Sequence, residues 1–106
     1  MENCIFCKIR DKEIPASFVY EDDDLMVFPD IHPKKPIHLL IVPKKHIEEF
    51  VAMADPALMT DVSRVLQQLI KDRKLDESGY QVQINGGGHQ DIDHLHVHLL
   101  GPMGRP

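Results

Sequence analysis

No apolar run in this 106-residue chain approaches the ~18 residues of a membrane-spanning helix, so none of it is expected to cross a bilayer. The opening MENCIFCKIR lacks a long apolar centre and a small-residue cleavage site. It does not read as a secretory signal, and a cytoplasmic location is expected. Positive charge is in short supply. There are 12 Lys and Arg against 17 Asp and Glu, a formal charge of −5, which argues against general affinity for nucleic-acid backbones and leaves any phosphate chemistry to local donors. No repeat, low-complexity tract or linker breaks the chain, and its length suits one domain with a single core, residues 1–106. Cysteine is confined to Cys4 and Cys7, a C-x-x-C pair whose spacing serves zinc, redox chemistry or neither.

Histidine, by contrast, is plentiful. Of seven, three alternate with aliphatic residues in DHLHVHLLG, residues 93–101. On a helix that spacing turns about 200° per step and scatters the rings. On a strand, whose side chains alternate, His94, His96 and His98 share one face and Leu95, Val97 and Leu99 the other. A row of imidazoles serves as nucleophile, acid or base, or as ligands for a transition metal, and otherwise it is a polar face turned to water.

The rest of the chain predicts an α+β domain with a mostly antiparallel sheet, one short helix and one long helix. Residues 4–11 place Ile5, Phe6 and Ile9 on one side of a short helix. Residues 17–20 and 25–28 look like strands around the acidic turn EDDD, and HLLIV at 38–42 is a buried strand closed by Pro43. Asp55 and Pro56 form a helix start, after which Leu58, Val62, Val65, Leu66 and Leu69 keep helical spacing in one long helix that fades near Gly79. Residues 80–84 alternate as a strand, break at NGGG, and lead into the histidine strand.

Taken together, several stretches resemble the histidine triad family, and within it the Hint branch. HLHVHLL at 94–100 matches the triad motif, His-φ-His-φ-His-φ-φ with φ apolar. IFCKIRDKEIPA near the start, FPDI at 28–31, PIHLLIVPKKHI at 36–47 and an Asn- and Gly-rich loop before the triad match in order along essentially the whole chain. The resemblance implies a HIT-like α+β fold that pairs as a homodimer and joins its sheets. It also implies hydrolysis at the α-phosphorus of purine nucleoside phosphoramidates or acyl-nucleotides. Binding of nucleic acid or of a membrane is not expected.

By the same match, His96 is the nucleophile, with His94, His98 and His38 beside it; Phe28, Asp30 and Ile31 line the nucleoside pocket, Asp30 facing the ribose hydroxyls; and Asn85 and Gln90 lie near the phosphate. Neutral imidazole suits the first role, since it is nucleophilic at pH 7 and divides one hard displacement into two easier ones. A second imidazole, or backbone amides of the NGGGHQD loop at 85–91, can donate to phosphate oxygens. Family members with the cysteine pair complete a structural zinc site with histidines at the positions of His46 and His94. Asp91 departs from the branch, which carries serine there. It is expected either to be held protonated by the phosphate as an acid or, the favoured reading, to turn away. Other readings stay open: cleavage of dinucleoside polyphosphates, a metal-dependent hydrolase with histidine and carboxylate ligands, or a nucleotide-binding interaction module with weak catalysis.

Overall fold

Alternation along the strands sorts the interior into two layers. In the computed structural model, residues 3–104 are described. The order is α1 (Ile5–Arg10), β1 (Tyr20–Glu21), β2 (Leu25–Pro29), β3 (Ile37–Pro43), a 3-10 turn (Phe50–Ala52), α2 (Pro56–Asp72), α3 (Leu75–Ser78), β4 (Gln81–Ile84) and β5 (Val97–Gly101). The five strands form one antiparallel sheet in the order β1-β2-β3-β5-β4. The expected α+β class is the one formed. Odd-numbered residues of the central strands, Leu25, Val27, Leu39, Ile41, Val97 and Leu99, pack with Leu58, Val62, Val65 and Leu69 of α2. Even-numbered Met26, Phe28, Leu40 and Val42 face the opposite layer, where Phe6 and Ile9 of α1 cover them.

Four local expectations need correction. The strand expected at 17–20 is found at Tyr20–Glu21; Val19 still donates to the Val27 carbonyl at 2.8 Å, and after Glu21 the Asp22 Oδ1 accepts from the amides of Asp24 and Leu25, both at 2.8 Å, and closes a tight turn. In α1, Ile5 is 38 % exposed and Cys7 is buried in its stead, so the buried side of that helix is Phe6, Cys7 and Ile9. The long helix begins as expected, with Asp55 capping the Leu58 amide at 3.2 Å, but it stops at Asp72. Lys74 then takes a left-handed φ of 57° and α3 starts a new direction. Finally, the histidine strand begins only at Val97, so His94 and His96 precede the ladder while His98 lies within it. Among the described residues no helix is long and apolar enough to cross a membrane.

Candidate active site and metal centre

All three triad histidines are buried, at 0 %, 5 % and 6 % exposure for His94, His96 and His98, which excludes the reading of a polar face turned to water. The alternation with Leu95, Val97 and Leu99 holds even ahead of the strand, since those three join the α2 layer. The histidines share the other layer, yet they do not form one row with one role. Their hydrogen bonds sort them into three states.

His94 turns toward the amino terminus. Its Nε2 donates to the Pro43 carbonyl at 2.7 Å, so Nδ1 carries the lone pair and faces Cys4 Sγ at 3.2 Å and Cys7 Sγ at 3.6 Å. His46 brings its Nδ1 to 3.3 Å from Cys7 Sγ. These four donor atoms lie within 4.8 Å of one another. A tetrahedral zinc with Zn–S ~2.3 Å and Zn–N ~2.0 Å has sulfur–nitrogen edges of about 3.5 Å, so the quartet fits. Burial and the neighbouring Cys4 both push the Cys7 thiol up, so its ionisation would need a cation at the centre.

His96 follows two residues later on the same face, and Phe6 packs against both rings. Its Nδ1 donates to the His94 carbonyl at 2.8 Å, which leaves the lone pair on Nε2. The ring meets Phe6 edge-on with centroids 5.2 Å apart and borders a cavity of about 480 Å³. Phe28, Asp30, Ile31, Leu40 and Ile92 line the same cavity, so the structure brings together His96 and the three residues expected around a nucleoside.

His98 is fixed through a chain that starts at a backbone amide. The Lys34 N–H donates to His38 Nδ1 at 3.1 Å, so His38 holds its proton on Nε2 and donates it to His98 Nδ1 at 2.9 Å. His98 therefore carries its own proton on Nε2. Among the described residues that atom is the one buried side-chain nitrogen or oxygen without a hydrogen-bond partner. A buried N–H left unpaired costs about 1–3 kcal/mol, and here it marks where an acceptor is to sit. Asp30 Oδ2 lies 3.5 Å from His38 Nε2, and the three groups could ligate a cation, but the direct His38–His98 bond already joins two of them.

The loop residues behave differently. Gln90 is occupied within its own loop, accepting from the Gly88 amide at 3.0 Å and donating to Asp93 at 3.1 Å. The Gly87 amide donates to Glu49 at 3.1 Å, so two amides of the expected phosphate cradle have internal partners. Asn85 follows β4 one residue past the Ile84–Val97 pair, on the histidine side of the sheet by register. Asp91 lines a separate outer groove of about 950 Å³ with Glu48, Asp93, His46 and Cys4. Sequence reasoning missed Gln83, which pairs directly with His98 and so shares its face. Leu40, in the cavity wall, was missed too. The parity of β3 pointed to it, since it stands two residues after His38.

Burial holds both His94 and His98 down to about 4, and lowers His38 as well, against the pull of Asp30 on the last. These rings are neutral in the folded chain at pH 7, while in the unfolded chain they titrate near 6.5. Below that value the unfolded state takes up protons that the folded state refuses, so their contribution to stability is present above about 6.5 and lost as pH falls toward 4. The urea midpoint is expected to be level above pH 7, to fall between pH 6.5 and 4, and to fall less steeply in His98→Gln. A midpoint that stays level down to pH 4 contradicts the neutral assignments.

The chain is similar along its length to known proteins. Residues 3–105 match the family described as scavenger mRNA decapping enzyme C-term binding. Protein HitA of Neisseria gonorrhoeae is 41% identical over 95% of this chain and 97% of its own, and an uncharacterised HIT-like protein of Methanocaldococcus jannaschii is 41% identical over 92% and 77%. The chain belongs to the histidine triad family. Among solved HIT structures, the HIT family hydrolase from Legionella pneumophila superposes with a TM-score of 0.87 at 42% identity, over 98% of this chain and 95% of that one. A histidine triad nucleotide-binding protein from Candida albicans superposes at 0.84 with 39% identity, over 92% and 73%.

Proposed function

We propose that this HIT protein is a nucleotide-binding hydrolase that cleaves purine nucleoside phosphoramidates or acyl-nucleotides at the α-phosphorus through a covalent nucleotidyl-His96. The observation that carries the proposal is the opposite proton placement on neighbouring imidazoles, a lone pair on His96 Nε2 and a proton on His98 Nε2. An anionic phosphorus centre needs both a neutral nucleophile and a donor for the charge that gathers on its oxygens. The hydrolase name of the Legionella relative and the nucleotide-binding name of the Candida relative agree with it.

The nucleoside occupies the cavity between Phe28, Leu40 and Ile92, with the Asp30 carboxylate accepting from the ribose hydroxyls at its mouth. His96 Nε2 forms a bond to phosphorus as the bond to the leaving nitrogen or acyl oxygen breaks. The electron pair stays with the leaving group, an amine taking up a proton from water as it departs, and the positive charge on the imidazole is supported by the His94 carbonyl at Nδ1. His98 Nε2–H donates to a phosphoryl oxygen. Water then attacks phosphorus and loses its proton to bulk water, and His96 leaves with the P–N bonding pair restored as its lone pair. In the test, the protein is mixed with adenosine phosphoramidate and quenched. Intact mass should show one adenylyl group on His96, and the product should be adenosine monophosphate. Activity that prolonged chelation abolishes, with no adduct trapped from loaded protein, removes this route in favour of a metal-dependent hydrolase, and faster cleavage of diadenosine polyphosphates shifts the substrate class to the runner-up.

Cys4, Cys7, His46 and His94 are proposed to hold zinc in a closed tetrahedral shell, which gives it a structural part. Protein purified without chelator should contain about one zinc per chain, and under about a tenth per chain removes the assignment. The homodimer is proposed to form along β4, an edge strand that leaves Val82 and Ile84 at 42% and 36% exposure, together with α2. Light scattering at micromolar concentration should give twice the 12.1 kDa chain mass, and a purely monomeric species contradicts it.

A further inference from the structure

We propose that the metal centre sets the proton placement of His96, with His94 as the positioning residue between them. This rests on reading His96 as the nucleophile and adds a control over it. The need for such a control comes from where the ladder starts. β5 pairs with its neighbours only from Val97 onward, so the His94 carbonyl, which receives the His96 Nδ1 proton at 2.8 Å, is held by no sheet hydrogen bond.

What holds it converges on the metal quartet. The His94 side chain is fixed at one nitrogen by the Pro43 carbonyl and at the other by the cysteine sulfurs. The next amide, Leu95 N–H, donates to the Ile47 carbonyl at 2.7 Å, and Ile47 follows the ligand His46. The remaining support, the His94 amide to the Ile92 carbonyl at 2.8 Å, is local to the loop. Phe6 stands between Cys4 and Cys7 on α1 and packs its ring against both His94 and His96, at 5.7 Å and 5.2 Å between centroids. Ligation therefore clamps α1, the 46–47 segment and the 94–96 segment at one point.

When that clamp opens, the His94 carbonyl drifts and the His96 Nδ1 proton loses its acceptor in a buried place. Moving the proton to Nε2, on the cavity side, recovers a partner from water there. That tautomer has no lone pair facing the phosphorus. His94, held by the quartet, would thus position His96 without touching substrate.

The test compares protein labelled with nitrogen-15 histidine, loaded with zinc and stripped by chelation, with the His96 signals assigned by their loss in His96→Gln. The expected result is a single Nδ1–H tautomer for His96 in loaded protein and a mixture with Nε2–H in stripped protein. Adduct formation should slow about ten- to a hundredfold and recover on adding zinc back. Cys4→Ser, at a half-buried ligand, should behave as stripped protein at low zinc. A stripped protein whose His96 stays wholly Nδ1–H overturns the proposal. So does one that loses its amide dispersion throughout the sheet, because the centre then holds the fold and has no particular hold on His96. A tautomer change in a protein that forms no adduct even when loaded leaves the coupling standing and refutes the nucleophile.

Discussion

His96→Ala is expected to abolish turnover and the adenylyl adduct while adenosine monophosphate still binds. Loss of the nucleophile should exceed the ~10²–10⁴-fold contribution of a single acid or base, because no second unprotonated imidazole nitrogen is placed to take over. His98 Nδ1 is taken up by His38, and His94 Nδ1 faces the cysteines. Binding should survive because Phe28, Leu40, Ile31 and Ile92, which line the proposed nucleoside cavity with other residues, are unaltered. The substitution does leave the His94 carbonyl without its donor and thins the packing against Phe6, so thermal midpoints should be compared first. Single-turnover cleavage and monophosphate titration measure the two halves. Turnover within about tenfold of the parent would give the attack to another group.

The sequence made the fold legible where period and burial coincide, and obscure where a single side chain redirects the backbone. HLLIV, the Asp55–Pro56 start and the apolar stripe of α2 read correctly because each matches one repeat over many residues. The break at Lys74 was invisible, since nothing in the apolar spacing shows a left-handed residue that is not glycine. Similarly, period two in the triad was right about the faces but said nothing of hydrogen bonding, so His94 and His96 were assigned to a strand that begins at Val97. At the site, the family resemblance brought forward His38, Phe28, Asp30 and Ile31; His38 bonds His98, and the other three line the cavity beside His96. Proton placement could not be read from residue types. It depends on the Lys34 amide and the carbonyls of Pro43 and His94, backbone groups that every residue type carries.

Asp91 and His98 are the two candidates for managing charge at the leaving side, and their settings differ. Asp91 is exposed and lines the outer groove with Glu48 and Asp93, while Ile5 and Ile92 stand between that groove and the cavity bordered by His96. The Asp91 charge reaches His98, whose pKa it pulls upward, but a carboxylate oxygen accepts hydrogen bonds and does not donate one to a phosphoryl oxygen. His98 is buried and keeps an unpaired Nε2–H, with the proton held there by His38 and the Lys34 amide. Neutral at pH 7 because burial holds it down to about 4, it offers a hydrogen bond to a phosphoryl oxygen and does not give up the proton. His98→Ala is therefore expected to slow adduct formation by about 10²–10³, the range for one preorganised oxyanion donor. That loss should be similar for amine and for acidic leaving groups, since the donor stabilises the phosphoryl oxygens whichever group departs. A general acid behaves otherwise. Its removal spares substrates whose leaving group needs no proton, so a loss confined to amines would make His98 the acid. Asp91→Asn and Asp91→Ser should leave the rate unchanged or raise it, most of all with serine, whose hydroxyl can donate. A loss of about tenfold or more in Asp91→Asn, with the alkaline limb of the pH profile gone, would move proton delivery to Asp91.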